Sequence, residues 1–202
     1  MSNNNTKKLL TEIFQVNYDA SKFASALAND EPIILDGIIQ RANIKNNNNR
    51  IYPKEVLERE INRYMKEFVK ENRALGELDH PERDVVEYKT ASHRINDIWW
   101  KGDDVWAKIE ILSGKFFPCA NILRGCLKNN IPIGFSSRGY GSEVQISHET
   151  FEVEDDYVLT CWDAVSNPST KGAFGMIAES TGARVSRVSL DEINGLVNFI
   201  LL

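Results

Sequence analysis

Two segments rich in strand-forming residues lie on either side of a tight turn in the middle of the chain. Residues 87–100 and 104–112 carry Tyr, Val, Ile and Trp, and Lys101-Gly102-Asp103 lies between them. A turn this short joins neighbouring strands that run in opposite directions. The sequence therefore predicts an antiparallel β-hairpin, against which the rest of the chain must pack.

Other segments add strands and a few helices to this hairpin. A long amphipathic helix is predicted over residues 53–72, because apolar residues recur there at helical spacing and Pro53 suits a helix start. Shorter helices are predicted over residues 9–16 and 121–128. Strands are predicted over residues 33–39, 131–140, 144–154 and 156–165. The predicted fold class is α+β, a mostly antiparallel β-barrel with flanking helices.

The composition is that of a soluble globular protein with one core. The 202 residues are 42% hydrophobic and 26% charged, and no apolar run approaches the roughly 18 residues of a membrane span. The polar start lacks the apolar stretch of a secretory signal, so we expect the chain to stay in the cytoplasm where it is made. A net charge of −5 argues against direct nucleic-acid binding. The three cysteines have no CxxC spacing, so we predict neither a disulfide framework nor a zinc site. Nothing else in the sequence requires a metal or an organic cofactor.

Two glycine-flanked segments contain the residue types of a nucleophile and its base. They are residues 76–81, GELDHP, and residues 134–139, GFSSRG. A serine hydroxyl becomes a useful nucleophile when a neighbouring imidazole takes its proton. His80 is the predicted base, because we expect His93 and His148 to lie at the surface.

Strand alternation separates the two serines of the second segment. If the segment is extended, Ile133, Phe135 and Ser137 share one face, and Ser136 lies on the other. The apolar pair marks the core side, so Ser136 is predicted to be the nucleophile and to point towards a substrate groove. Ser137 remains the alternative.

A triad needs a third group that holds the imidazole tautomer. Asp163 is the predicted acid, because a carboxylate between an aromatic and small apolar residues in a strand is costly unless it has a partner. Glu77 and Asp79 are the alternatives. Oxyanion stabilisation is predicted from backbone N–H groups of Ser137, Arg138 and Gly139, with positive charge added by the Arg138 side chain.

Four blocks of the chain resemble the prohead, or capsid-maturation, serine proteases of tailed bacteriophages, in particular the myovirus scaffold-core branch. They occur in the family's order, at residues 43–53, 74–81, 99–102 and 133–139. The family shows Gly-x-Ser and Ser-x-Gly patterns, which match Ser136 and Ser137 respectively. Asp163 resembles in position the third triad member of the related herpesvirus assemblins, where that member is a histidine. The resemblance implies an assemblin-like fold.

The resemblance also implies a function. It predicts a serine endopeptidase that cleaves scaffold, core and major capsid proteins, and itself, inside the immature prohead in the host cytoplasm. Cleavage after Glu in a Leu/Ile-x-Glu context is expected. The alternative is a noncatalytic scaffold- or capsid-binding module on the same fold, although the presence of both Ser136 and His80 favours the enzyme.

The expected cleavage motif divides the chain. Ile177-Ala178-Glu179 predicts a cut after Glu179, and Leu10-Thr11-Glu12 predicts one after Glu12. The tail that contains Glu179 (171–202) is therefore predicted to be autoprocessed. The Asn-rich polar start changes at Pro32 to a β-branched strand pattern, so we predict a flexible N-terminal segment (1–30) and a protease domain (31–170). Whether the chain is the zymogen or the active form, and whether it forms a homo-oligomer, the sequence leaves open.

Overall fold

The predicted hairpin forms the middle of a four-stranded sheet in the computed structural model, which describes residues 8–16, 20–166 and 174–175. The strands are β1 (Lys8–Val16), β2 (Ile33–Arg41), β3 (Arg50–Ile51), β4 (Leu75–Glu77), β5 (Ala91–Lys101), β6 (Asp104–Ile111), β7 (Ile133–Gly141), β8 (Glu143–Ser147), β9 (Thr150–Val153), β10 (Val158–Val165) and β11 (Phe174–Gly175). The α-helices are α1 (Ala24–Asn29), α2 (Lys54–Tyr64) and α3 (Pro118–Lys128), and a π-helical turn, Met65–Val69, continues α2.

The first sheet has the order β2-β6-β5-β4 and is antiparallel throughout. Its inward face supplies Ile33, Leu35, Ile95 and Ile109, all almost completely buried. Alternation of apolar and polar residues along β5 and β6 explains this face, since successive side chains of a strand point to opposite sides.

A second sheet contains the strand with the two serines. Its order is β10-β7-β1-β11, so β7 is an interior strand, antiparallel to both of its neighbours. Ser136 is in register with Asp163 of β10 and with Ile13 of β1. The pairing thus places a predicted nucleophile directly opposite a predicted acid.

The two sheets meet where β4 approaches β10. Leu78, one residue after β4, forms a parallel bridge with Ala164. The next residue, Asp79, donates its backbone N–H to the Ala164 carbonyl oxygen at 2.7 Å. This junction brings the segment that follows β4 next to β7 and β10.

Helix α2 covers part of the core behind β10. Its buried face contains Val56, Leu57, Ile61 and Tyr64, as the predicted helical spacing requires. The Tyr64 ring makes an edge contact with Trp162, with ring centroids 5.2 Å apart. The helix therefore supports the strand that carries Asp163.

The structure corrects two predicted elements. Residues 9–16 lie in a strand, not in a helix, because they pair along their whole length with β7. Residues 144–154, predicted as one strand, contain parts of two strands, β8 and β9, joined by a turn at which Glu149 has a positive φ of 55°.

The remaining fold predictions agree in outline. The α+β class with mostly antiparallel strands is confirmed. Among the described residues, no helix is long and apolar enough to cross a membrane. The division into segments 1–30, 31–170 and 171–202 stays a prediction.

Candidate active site

His80 reaches the serine strand through a short turn after β4. The bond from Asp79 N–H to the Ala164 carbonyl holds this turn against β10, and Asp79 adopts a left-handed conformation with a φ of 60°. Asp and Asn tolerate this conformation better than most residues. The turn places the half-buried His80 over β7.

Three predicted residues meet there in the geometry of a catalytic triad. His80 Nε2 lies 2.6 Å from Ser136 Oγ, and His80 Nδ1 lies 2.9 Å from Asp163 Oδ2. With Nδ1 protonated and donating to Asp163, Nε2 accepts the Ser136 hydroxyl proton. The arrangement can therefore move a proton from serine to histidine without rearrangement of side chains.

Ser137 faces the other way. Its Oγ is buried and has no hydrogen-bond partner among the residues that the structure describes. Ile133 and Phe135, on the same face, are buried in the core. Strand alternation thus predicted which serine faces His80.

The exposure of Ser136 differs from expectation. The sequence predicts that Ser136 points out to a groove, whereas the residue has no exposed surface. Ser136 is covered because β7 is an interior strand and His80 lies on its hydroxyl.

Asp163 is fully buried and surrounded by donors. Oδ2 accepts from His80 and from Arg138 Nε, the latter at 2.7 Å. Oδ1 accepts from the Glu77 backbone N–H at 3.0 Å and from the Cys161 thiol at 3.2 Å. Burial disfavours the charged form, but hydrogen bonding to His80 and the charge of Arg138 outweigh it and lower the pKa of Asp163. The carboxylate is therefore ionised when it acts on His80.

The two alternative acids lie elsewhere. Asp79 is exposed, and Glu77 is buried with its carboxylate bonded to Arg138, Arg83 and Thr90. His80 Nδ1 takes its hydrogen bond to Asp163 instead. The geometry favours Asp163 as the third member.

The Arg138 side chain does not have the surroundings that an oxyanion role requires. Its guanidinium is buried between Glu77 and Asp163, so its charge is compensated by two carboxylates. Backbone N–H groups of Ser137, Arg138 and Gly139 lie in the interior of β7, between β1 and β10. Their use in an oxyanion hole stays a prediction.

The other two histidines differ in their exposure to solvent. His148 is exposed, as expected, but His93 is completely buried, and its predicted surface position is wrong. His93 Nε2 donates to the Trp162 carbonyl oxygen at 2.9 Å. Its ring packs edge-on against Phe135, with centroids 5.0 Å apart, because β5 turns this residue into the core.

Sequence reasoning missed the link between Glu77, Arg138 and Asp163. Strand alternation carried a signal for one part of it, because Arg138 lies two residues after Ser136 and so on the same face. The contact with Glu77 joins residues 61 positions apart, and no local pattern encodes it.

Comparisons with known proteins place the chain in a family. A family model described as "Prohead core protein serine protease" matches residues 11–184. The chain belongs to this family. Its members are prohead proteases, so the chain is a peptidase of phage capsid maturation.

A sequence comparison and a structure comparison illustrate the match. The chain is 35% identical to the prohead core protein protease of Enterobacteria phage T4 over 155 residues, 76% of this chain and 73% of that protein. The solved structure of the bacteriophage T4 capsid assembly protease, gp21, superposes with a TM-score of 0.69 at 29% identity. It covers 81% of this chain and 100% of its own.

The remaining predicted positions concern processing and cofactors. Glu12 lies in β1, in register with Ser137, and Glu179 lies outside the described residues. No group of three or more His, Cys, Asp or Glu side chains in the described part of the chain is arranged to hold a metal ion.

Proposed function

We propose that this prohead core protease is a serine endopeptidase that uses Ser136 as nucleophile, His80 as general base and Asp163 as the acid that orients His80. The observation that supports it is the contact chain from Ser136 Oγ through His80 to Asp163, with distances of 2.6 Å and 2.9 Å. Each role follows from what each atom can donate or accept there.

The mechanism runs in two halves. Ser136 Oγ attacks the scissile carbonyl carbon while His80 Nε2 takes the hydroxyl proton, and the ionised Asp163 stabilises the imidazolium that forms. The tetrahedral intermediate collapses when His80 returns this proton to the leaving amine, which leaves an acyl-serine. Water then attacks the acyl carbon while His80 takes a proton from it. His80 returns this proton to Ser136 Oγ as the bond between the acyl carbon and Oγ breaks, which releases the acid product.

The proposal includes the substrates and the place of action. Scaffold and core proteins, the major capsid protein and the chain itself are cleaved after Glu in Leu/Ile-x-Glu contexts, inside the immature prohead in the host cytoplasm. Family membership supports this choice of substrates. Cleavage after Glu179 and after Glu12 is the form that self-processing takes.

Intact-mass spectrometry of four proteins tests the proposal. Wild type is expected to lose terminal peptides and to cut a scaffold-derived substrate after Glu. Ser136→Ala and His80→Ala are expected to lose at least about 10⁴-fold in kcat. Ser137→Ala serves as the matched serine control and is expected to keep cutting.

Two outcomes contradict the proposal. If Ser137→Ala is the inactive serine variant, the nucleophile is assigned wrongly. If all four proteins leave both their own termini and the scaffold substrate intact, the chain is a noncatalytic binding module on this fold.

A further inference from the structure

A buried arginine contacts both the acid of the triad and a second carboxylate. Arg138 and Glu77 have no exposed side-chain surface, and neither does Asp163. Arg138 bonds Asp163 through Nε at 2.7 Å and through Nη2 at 3.3 Å, and the same Nη2 bonds Glu77 Oε2. Burying an arginine this completely is costly unless every charge is compensated. The burial of Arg138 between two carboxylates therefore indicates that the residue has a functional role.

The third nitrogen of Arg138 holds the turn that carries the base. Arg138 Nη1 donates to the carbonyl oxygen of Arg83 at 2.5 Å and to that of Pro81 at 3.4 Å. Pro81 follows His80 directly. One rigid guanidinium thus contacts Asp163 on one side and the His80 turn on the other.

Glu77 fixes the guanidinium in turn. Its Oε2 accepts from Arg138, while Oε1 accepts from Arg83 Nη2, the Thr90 hydroxyl and the Glu87 backbone N–H. Its own backbone N–H donates to Asp163 Oδ1. Glu77 therefore fixes Asp163 through its backbone and Arg138 through its side chain.

We propose that Arg138, held by Glu77, is a positioning residue that sets the Asp163 carboxylate against His80 Nδ1 and fixes the turn behind His80. The inference rests on the proposed triad. A planar guanidinium offers five N–H groups in fixed directions, which a lysine ammonium does not provide. The chain uses these groups to hold Asp163 of β10 and the turn that carries His80 at one separation.

The test compares Arg138→Lys and Arg138→Met with Glu77→Gln. Arg50→Lys is the matched control, because Arg50 also pairs with a glutamate, Glu143, at 2.6 Å, but in β3. Arg138→Lys is expected to lose about 10²-fold in kcat with KM changed less than about threefold, since small misplacement of a catalytic group reduces the rate of chemistry more than binding. Arg50→Lys is expected to match wild type.

The pH profile of kcat/KM distinguishes positioning from general destabilisation. Its acid limb reports protonation of the base. Arg138→Met removes a positive charge, so the negative charge of Asp163 stabilises protonated His80 more strongly. The acid limb of the kcat/KM profile is therefore expected to move to higher pH. Removing a negative charge in Glu77→Gln moves it to lower pH. Opposite shifts are not expected from loss of stability.

Cys161, Tyr64 and His93, which lie near Asp163, each keep one protonation state around neutral pH. Burial raises the pKa of Cys161 and of Tyr64 well above their usual values, and burial lowers the pKa of His93 to about 4.

The outcomes separate this inference from the proposed function. If Ser136→Ala cuts as well as wild type, the proposed triad fails. If Ser136→Ala is inactive but Arg138→Lys keeps wild-type kcat, the positioning role is wrong. It is also wrong if Arg138→Met and Glu77→Gln shift the acid limb of the pH profile in the same direction. Should Arg138→Met not fold, Arg138→Lys and Glu77→Gln still decide through kcat and the direction of the Glu77→Gln shift.

Discussion

His80 and His93 both lie close to Asp163, in different surroundings. The His80 side chain is 18% exposed and bonds Asp163 directly, so it can exchange protons with a substrate. His93 is fully buried and donates Nε2–H to the Trp162 carbonyl, while the Ser92 hydroxyl lies 2.9 Å from its Nδ1. His93 therefore acts as a neutral structural residue that holds the strand of Asp163.

Burial of neutral His93 makes stability depend on pH. Burial lowers its folded-state pKa to about 4, despite the opposing charge of Asp163, whereas the unfolded value is about 6.5. Between these values the unfolded chain binds the proton more readily. Neutral His93 therefore costs the folded protein no stability above pH 6.5. As the pH falls towards 4, the free energy of unfolding decreases, by about 2 to 3 kcal/mol at pH 4.5.

Urea unfolding at pH 7.5 and 4.5 measures this contribution. All variants carry Ser136→Ala, which prevents self-digestion. When the pH falls from 7.5 to 4.5, we expect the free energy of unfolding of the His93→Gln variant to fall by about 2 to 3 kcal/mol less than that of the protein with Ser136→Ala alone. His148→Gln, at an exposed position, is the control and should follow the parent. Equal losses for parent and His93→Gln would show that His93 takes its proton in the folded protein.

At the scale of elements, the contact between β4 and β10 depends on Gly76. A Cβ at this position would lie 2.1 Å from the Trp162 carbonyl oxygen and 2.3 Å from His93 Nε2. Neither neighbour can move freely, because one is backbone and the other is a buried ring. The close approach lets the next residue, Glu77, donate its N–H to Asp163.

Gly76→Ala is therefore expected to separate β4 from β10. Overpacking of this kind typically costs about 1 to 3 kcal/mol, and the displaced Glu77 would also loosen Asp163 and reduce kcat. Gly125→Ala is the control, because a Cβ there meets nothing within 4 Å and alanine favours helix α3 by up to about 1 kcal/mol. Thermal melts and kcat of both variants check the prediction, which a fully active Gly76→Ala would contradict.

The sequence predicts a strand or helix correctly where the residue pattern within that segment is enough to determine it. The hairpin of β5 and β6 and the amphipathic helix α2 follow from turn chemistry and spacing within the segment. The predicted helix over residues 9–16 is wrong, because the spacing of their apolar residues fits a strand as well as a helix. The strand with which they pair, β7, lies more than a hundred positions away in sequence. Strand alternation in β7 predicts that Ser136 and Ser137 point to opposite faces, and in the structure Ser136 is the one that contacts His80. The Arg138–Glu77 contact was not predictable, since only the meeting of two sheets creates it.

At the scale of the whole molecule, β1 lies beside β7, the strand that carries Ser136. β1 pairs antiparallel with β7, and Glu12 is opposite Ser137 in this pairing. A protease binds its substrate as an extended segment without other backbone partners, and a segment in the interior of a sheet must open before it is cut. Self-cleavage after Glu12 thus requires β1 to leave the sheet.

We therefore predict that the bond after Glu12 is protected in the folded chain. Wild type should cut a synthetic peptide of residues 5–19 after Glu12 at least about tenfold faster than it cuts the same bond in folded Ser136→Ala chain, since even about 1.4 kcal/mol of local opening gives this factor. Mass spectrometry of both substrates in one reaction measures the ratio, and a Glu12→Gln peptide controls for specificity. Equal rates would show that β1 is not held on β7, whereas an uncut peptide would remove Glu12 from the processing sites.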